Sequence, residues 1–390
     1  MTKTIDFVYF NAGGGHRAAA HALQDVIGAQ HRGWTTRLVD LSQVLDPDGQ
    51  FRKVTGMAPE DLYNMRLARG WTLGLATELK LLQAMIRMGH ASLVRQLAQH
   101  WLRTEPDLVV SLIPNFNRAL YASLTSTLPG VPFVTVLTDM ADLPPHFWIE
   151  PGQDQHLVCG TAQAARQALD AGYPQAQIWR TSGMILRPSF YRAYDRDRDA
   201  QLRDLGLDPQ VPTGIVLFGG QGSAQMVGIA RALGDAQLIL MCGHNQVLAK
   251  RLRAMRCAAP HAVVEFTPEV GVYMRLGDYF IGKPGPGSLS EAIHMGLPVI
   301  TFENACTMPQ ERFNCHWVRE RNVGLVIRST RGVRAAVSEL TARLSEFRDR
   351  VGAIDNRAVF EVPEILAQLL RATAVPIPAA LAQVEHMASA

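Results

Sequence analysis

Cysteine is scarce in this 390-residue chain, and neither sign of charge dominates. The five cysteines (Cys159, Cys242, Cys257, Cys306, Cys315) are odd in number and show no C-x-x-C spacing. That pattern speaks against a disulfide framework and against a zinc site. The 38 Lys and Arg against 35 Asp and Glu leave a net charge of +3, too little for a global nucleic-acid binder, although local patches stay open. No apolar run approaches the ~18 residues that a membrane-spanning helix needs. The opening stretch, MTKTIDFVYF, lacks the long apolar core of a secretory signal. The expectation is a cytoplasmic protein, soluble or peripheral on the cytoplasmic face of a membrane.

What is present is globular material for more than one core. The length is about two and a half times a ~150-residue domain, so two domains are expected. Hydrophobic residues make up 47% and charged ones 19%. Short apolar runs alternate with helical patterns throughout, at Ile5–Phe10, Thr35–Leu41, Leu108–Leu112, Phe133–Thr138 and Leu157–Cys159. They continue at Ile215–Phe218, Leu238–Cys242, Val263–Phe266, Tyr279–Ile281, Val299–Phe302 and Leu325–Ile327. Such alternation predicts parallel sheets covered by helices on both faces, an α/β fold.

The chain also loosely repeats itself. FVYFNAGGGHRAAAHAL (Phe7–Leu23) and IVLFGGQGSAQMVGIARAL (Ile215–Leu233) are each a strand, a glycine-rich turn and an alanine-rich helix. A polar, charged stretch from Arg187 to Gly214 separates them. This predicts an N-terminal domain over 1–200, a second over 213–355, and a final segment, 356–390, returning to the first.

One region breaks the rhythm. Between the second strand and Pro106 no strand is suggested, and Trp71, Leu75, Leu79, Leu82 and Ile86 line one face of a helix. Residues 50–105 hold eight Lys/Arg against four Asp/Glu. Two readings stay open: helices packed on the N-terminal domain, or a basic amphipathic insert resting on an anionic membrane surface.

Two glycine-rich turns bear the candidate chemistry. In Asn11–Arg17 a strand gives way to a helix, and ligands of open α/β sheets bind at such carboxyl ends. His16 there is either a general base or a plain helix cap. The loop has neither a G-x-G-x-x-G pattern nor a Walker Lys-Ser/Thr pair. In Gly282–Ala292 (GKPGPGSLSEA) a Gly/Pro turn leads into a helix with Ser288 near its start. Backbone N–H groups and the helix dipole suit a diphosphate there. Glu291 lies one turn in, placed for a ribose diol, and Met308–Asn314 (MPQERFN) supplies side chains that grip sugar hydroxyls.

GPGSLSEA, GLP and PQERFN, with the earlier NAGGGHRAAA, resemble the diacylglycerol glycosyltransferases that include plant monogalactosyldiacylglycerol synthase. More distantly the chain is similar to the bacterial N-acetylglucosaminyltransferase that makes lipid II. The resemblance covers nearly the whole chain and implies a GT-B fold, two Rossmann-like parallel-sheet domains facing a cleft. It implies an inverting, metal-independent transferase that uses a UDP-sugar as substrate and needs no cofactor. On that basis His16 is the base, Gly14 and Gly15 approach the donor phosphate, and Gly220 and Gly222 add backbone amides. Phe266 and Thr267 meet the uracil, and Gly285, Gly287 and Ser288 hold the diphosphate. Glu291 binds the ribose, and Gln310 and Glu311 the donor sugar.

Asp139 either orients a catalytic group or caps a turn, and His146 and Trp148 either face the acceptor or pack their loop. Here the TD pair continues as Met140–Pro145 (MADLPP), where the lipid enzymes have a polar Asn/Thr-rich stretch, which leaves the acceptor's identity open. The expected partners are therefore a nucleotide-sugar donor, a lipid or other hydroxyl acceptor such as diacylglycerol, and an anionic membrane surface met through 50–105, with no nucleic acid. Rival readings are a UDP-sugar 2-epimerase, a transferase acting on a soluble acceptor, and a non-catalytic nucleotide-sugar-binding subunit.

Overall fold

The structure, a computed structural model, describes residues 2–10, 15–47 and 75–372. Two parallel sheets follow one another along the chain. The first contains β1 (Thr4–Tyr9), β2 (Thr35–Asp40), β3 (Leu108–Ser111), β4 (Phe133–Val136), β5 (His156–Cys159) and β6 (Ile178–Arg180), in the order β2-β1-β3-β4-β5-β6. The second contains β7 (Thr213–Leu217), β8 (Gln237–Gly243), β9 (His261–Glu265), β10 (Tyr279–Gly282), β11 (Val299–Phe302) and β12 (Gly324–Ile327), in the order β12-β11-β10-β7-β8-β9. The α/β architecture read from the sequence is therefore present in both halves. β6 adds a strand that the apolar pattern did not suggest. It has three residues, lies at the sheet edge and buries only Ile178 fully.

The central strands are largely apolar because helices cover both faces of each sheet, whereas the outer strands β2 (TTRLVD), β6 (IWR) and β9 (HAVVE) keep polar residues. On one face of the first sheet, Ile5 and Phe7 pack with Leu23 and Val26 of the helix Gly15–Ala29. On the other, Val8 and Val109 pack with Leu97 and Trp101 of the helix His90–Thr104. The buried Trp101 indole donates to Ser123 Oγ at 2.9 Å, which satisfies its one polar atom.

The last described helix closes on the first domain, while 373–390, the rest of the segment expected to return there, lie outside the described residues. The helix Ala358–Ala372 places Val362, Leu366 and Leu370 in the same core as the helix Gly15–Ala29. Just before it, Asn356 Nδ2 donates to the Met184 carbonyl at 2.9 Å, and the Arg357 amide donates to Ser182 Oγ at 2.7 Å. A side chain on Gly183 would stand 2.6 Å from the Asn356 amide carbon, so only glycine admits this crossing.

The sequence boundary near residues 200–212 needs moving upstream. The helix Arg198–Asp204 belongs with the second sheet, because Leu202 and Leu207 pack with Ile215 and Phe280. Arg198 Nη2 donates to the Leu276 carbonyl and to Asp278 Oδ2, at 2.9 and 3.2 Å. Met184 and Phe190 already lie in that core. The many charges of this stretch concealed its few inward apolar residues.

The described part of the insert is two helices packed to different degrees. Trp71 and the rest of 50–74 lie outside the described residues. The helix His90–Thr104 is core, whereas the helix Leu75–Met88 is only half packed. Leu79 rests against the group around Phe147 and Trp148. Leu82, on the expected apolar stripe, is 41% exposed, beside Leu81 at 59%, Met85 at 49% and Met88 at 79%. Among the described residues no helix is long and apolar enough to cross a membrane.

Because Leu366 is fully buried, Leu366→Ala should lower unfolding stability by about 2–5 kcal/mol. Urea denaturation followed by circular dichroism measures this. A loss below about 0.5 kcal/mol, the scale of a surface substitution, would show that the helix is not part of the core.

Candidate active site

The carboxyl ends of the first sheet build one wall of the cleft. His16 is the second residue of the helix Gly15–Ala29, just beyond β1. Its Nδ1 lies 3.0 Å from Thr138 Oγ1, just beyond β4, so two strand ends are joined across the intervening β3. The ring thus reaches across the sheet rather than back to its own helix, which distinguishes it from a simple cap. Burial pulls its pKa down to about 4, against a smaller opposing effect of the Leu112 backbone. The imidazole is neutral near pH 7 and free to accept a proton.

Asp139 follows immediately. Its Oδ2 accepts from the Trp148 indole N–H at 2.9 Å, and the Trp148 ring lies 5.9 Å from the His16 ring. Burial pushes the Asp139 carboxyl up to about 7, against the Trp148 bond; Glu311 raises it further and Lys283 lowers it. Both of these last groups belong to the second sheet's half of the chain, so Asp139 faces across the cleft. Asp139 therefore grips the indole beside His16.

Trp148 is fully buried and does not offer the surface expected of an acceptor-side residue. Its indole is spent on Asp139, and its carbonyl accepts from Asn117 Nδ2 at 2.9 Å. Asp142 shapes the surrounding loop by accepting from the backbone N–H groups of His146 and Trp148, at 2.9 and 2.6 Å. Three further bonds tie that loop to the sheet's helices: Gln167 binds both backbone groups of Asp142, and Thr161 Oγ1 donates to Met140 O at 2.5 Å. His146 is exposed, and it borders a small cleft with Arg87, Arg118 and Glu150.

The opposite wall comes from the second sheet. The helix Pro286–His294 starts beyond β10 with Gly285 as its N-cap. A methyl group on Gly285 would lie 3.3 Å from Lys283 Cε, 3.5 Å from Glu311 Oε1 and 3.6 Å from Ser288 Oγ. One on Gly219 would lie 3.9 Å from the same Lys283 carbon. Lys283 thus stands between the two glycine turns, and its Nζ donates to Glu311 Oε1 at 3.0 Å. Glu311 is buried, and Asn314 Nδ2 beneath it donates to the Pro284 carbonyl at 2.7 Å, fixing the turn.

In the other turn the Gly222 amide donates to Gly219 O at 3.1 Å, and the His244 amide donates to Gly220 O at 2.8 Å. Gly222 itself adopts a φ of +60°, with the Cys242 carbonyl close behind it. At the ends of β8 and β9, the Phe266 ring stacks on His244 at 3.9 Å between centroids and 17° between planes, yet remains 56% exposed. Thr267 Oγ1 accepts from the Glu269 amide at 3.0 Å. Gln310 Nε2 points toward Met308 Sδ at 3.6 Å.

Glu291 is paired: Arg187 Nη2 lies 3.5 Å from its Oε1. Burial raises the Glu291 carboxyl to about 7, and Arg187 opposes that rise.

Of the expected residues, Gly14 lies outside the described residues, Gly15 is exposed, and nothing crowds Gly15 or Gly287 within 4 Å. Four polar groups went unremarked in the sequence: Thr138, Asp142, Lys283 and Arg187. Only Lys283 left a signal, a cation inside GKPGPGS. Among the described residues there is no group of three or more His, Cys, Asp or Glu side chains able to hold a metal ion.

Comparison with known proteins agrees with this fold. A profile of the monogalactosyldiacylglycerol (MGDG) synthase family matches residues 16–183. The chain is 28% identical to a probable monogalactosyldiacylglycerol synthase 2, chloroplastic, of Oryza sativa subsp. japonica, with 97% of this chain and 84% of the rice protein covered. In fold it is similar to the crystal structure of MurG from Acinetobacter baumannii, with a TM-score of 0.56, 11% identity and coverage of 94% and 100%. A putative UDP-N-acetylglucosamine 2-epimerase from Listeria monocytogenes is similar too, with a TM-score of 0.55, 13% identity and coverage of 94% and 95%. The fold alone therefore does not separate sugar transfer from sugar epimerisation. The chain is similar in sequence to the MGDG synthases, and its fold is that of the GT-B glycosyltransferases.

Proposed function

We propose that this protein is an inverting glycosyltransferase that moves a sugar from a UDP-sugar to a lipid hydroxyl, with diacylglycerol the leading acceptor. One observation supports this most: two glycine turns, a helix N-terminus and Lys283 converge opposite a wall that holds a neutral, half-buried His16. In this reading the acceptor oxygen attacks the anomeric carbon while its proton passes to the His16 imidazole. The bond from that carbon to the β-phosphate oxygen breaks, and UDP departs with the bonding pair. Negative charge grows on the diphosphate, where Lys283, the glycine turn Gly219–Gly222 and the helix start at Pro286 meet it. No metal is needed for that stabilisation. Phe266 and Thr267 take the uracil, Glu291 the ribose, and Gln310 and Glu311 the sugar.

The acceptor assignment draws on the relatives' names and on the surface. Leu81, Leu82, Met85 and Met88 present apolar side chains on the helix Leu75–Met88, and Arg87 and Arg118 flank the small cleft at His146. Apolar side chains beside cations suit a protein lying on an anionic membrane and drawing its acceptor from it. The His146 end of the loop then meets the acceptor, while Trp148 positions the wall behind it.

His16→Ala should lower kcat by about 10²–10⁴-fold, the scale of general-base catalysis, while UDP affinity changes by no more than about twofold. Steady-state kinetics and calorimetry measure the two; an equal loss in both would argue against a base. Lys283→Met should weaken UDP binding by about 10–100-fold and leave uridine binding nearly unchanged, because only the former carries the anion. A similar loss for both ligands would remove Lys283 from the diphosphate site. Replacing Leu81, Met85 and Met88 together by Ser should reduce sedimentation with vesicles containing phosphatidylglycerol, and wild-type binding should weaken with salt. Unchanged sedimentation would return this helix to a packing role.

A further inference from the structure

The segment that joins the two halves holds the donor helix at two points. Arg187 precedes the short 3-10 turn Pro188–Tyr191, and its Nη2 contacts Glu291 Oε1 at 3.5 Å. The same guanidinium donates from Nη1 to the Pro268 carbonyl at 3.1 Å, and its carbon lies 5.2 Å from the Phe190 ring centre. One turn further along the helix, His294 Nε2 lies 3.3 Å from the Phe190 carbonyl. The His294 ring packs on Tyr191 at 4.4 Å, and Tyr191 packs on Phe360 at 4.9 Å. Glu291 and His294 are three residues apart and share a helix face, so the joining segment grips that whole face.

These contacts give Arg187 a role that no sequence motif suggested. It touches two segments assigned above to the nucleoside: Glu291, read as the ribose partner, and Pro268, which directly follows Phe266 and Thr267. A guanidinium is a planar fork, and here three groups from different elements fix its plane: a carbonyl, a ring face and a carboxylate. The pair engages Oε1 of Glu291 and leaves Oε2 for incoming hydroxyls. Burial favours the neutral form of this carboxyl, and Arg187 is the cation that opposes it. A protonated carboxyl would lose half its accepting capacity toward a diol.

We propose that Arg187 is a positioning residue for the donor: from the joining segment it aims the Glu291 carboxyl at the ribose diol. Ribose recognition is then set by the hinge of the molecule rather than by the donor half alone. The inference rests on the reading of Glu291 as the ribose partner, and the test separates the two.

The experiment compares UDP with 2′-deoxy-UDP by calorimetry in wild type, Arg187→Gln, Arg187→Lys and Glu291→Gln. Wild type should prefer UDP by about tenfold, the worth of one hydrogen bond to a charged group. Glu291→Gln and Arg187→Gln should each cut that preference to about threefold or less, with Arg187→Lys intermediate. If Arg187→Gln weakens both ligands equally, or leaves the preference intact, the positioning role is overturned while Glu291 keeps its assignment. If Arg187→Gln does not fold, Arg187→Lys decides: a full wild-type preference there overturns the proposal. A wild type that binds UDP and 2′-deoxy-UDP alike overturns the ribose reading itself, and the inference with it.

Discussion

The bond from the Trp148 indole to the Asp139 carboxylate is the contact on which the first wall of the cleft depends. It spans a strand end and the loop that follows, and it puts a flat aromatic surface beside the His16 ring. Asp142 then holds that loop shut through the backbone of His146 and Trp148. Without the indole donor, a buried carboxylate would lose its partner, at a cost of about 1–3 kcal/mol or more. The same burial that makes the contact necessary also keeps His16 neutral. Structure and proton-accepting capacity therefore share one cause, the exclusion of water at the carboxyl ends of β1 and β4.

The second wall solves a different problem. It has to present positive potential to an anion without placing many cations in one buried spot. A single lysine, held by Glu311, stands where two glycine turns approach, and backbone amides supply the remainder. Glycine matters here because each turn brings main chain close to that lysine and Gly219 adopts a φ of +77°, which other residues rarely tolerate. The two walls also sense each other, since Glu311 and Lys283 act on Asp139 from across the cleft in opposite directions.

Much of this was legible from residue order. Parallel strands covered by helices carry short apolar runs, so β1–β5 and β7–β12 stood out, whereas β6, three residues at an edge, did not. Glycine turns between strand and helix marked both walls for the same local reason. What stayed hidden depends on residues distant in sequence. Thr138 acquires meaning only when β4 ends beside His16, and Arg187 only when the joining segment crosses the donor helix. Trp148 stayed open between two readings because an aromatic in a Pro-rich loop can face solvent or core with the same neighbours in sequence. The stripe through Leu82 misled because periodicity marks an apolar face without saying what covers it; here 41% of Leu82 is left uncovered.

The most direct test of the account is proton NMR of the anomeric region during reaction of α-linked UDP-galactose with diacylglycerol in mixed vesicles. Inverting transfer to a lipid predicts a β-linked galactolipid signal growing in step with released UDP, and no donor consumption when diacylglycerol is left out. An α-linked product would contradict inversion. A new epimer of the UDP-sugar, formed without any acceptor, would contradict transfer altogether.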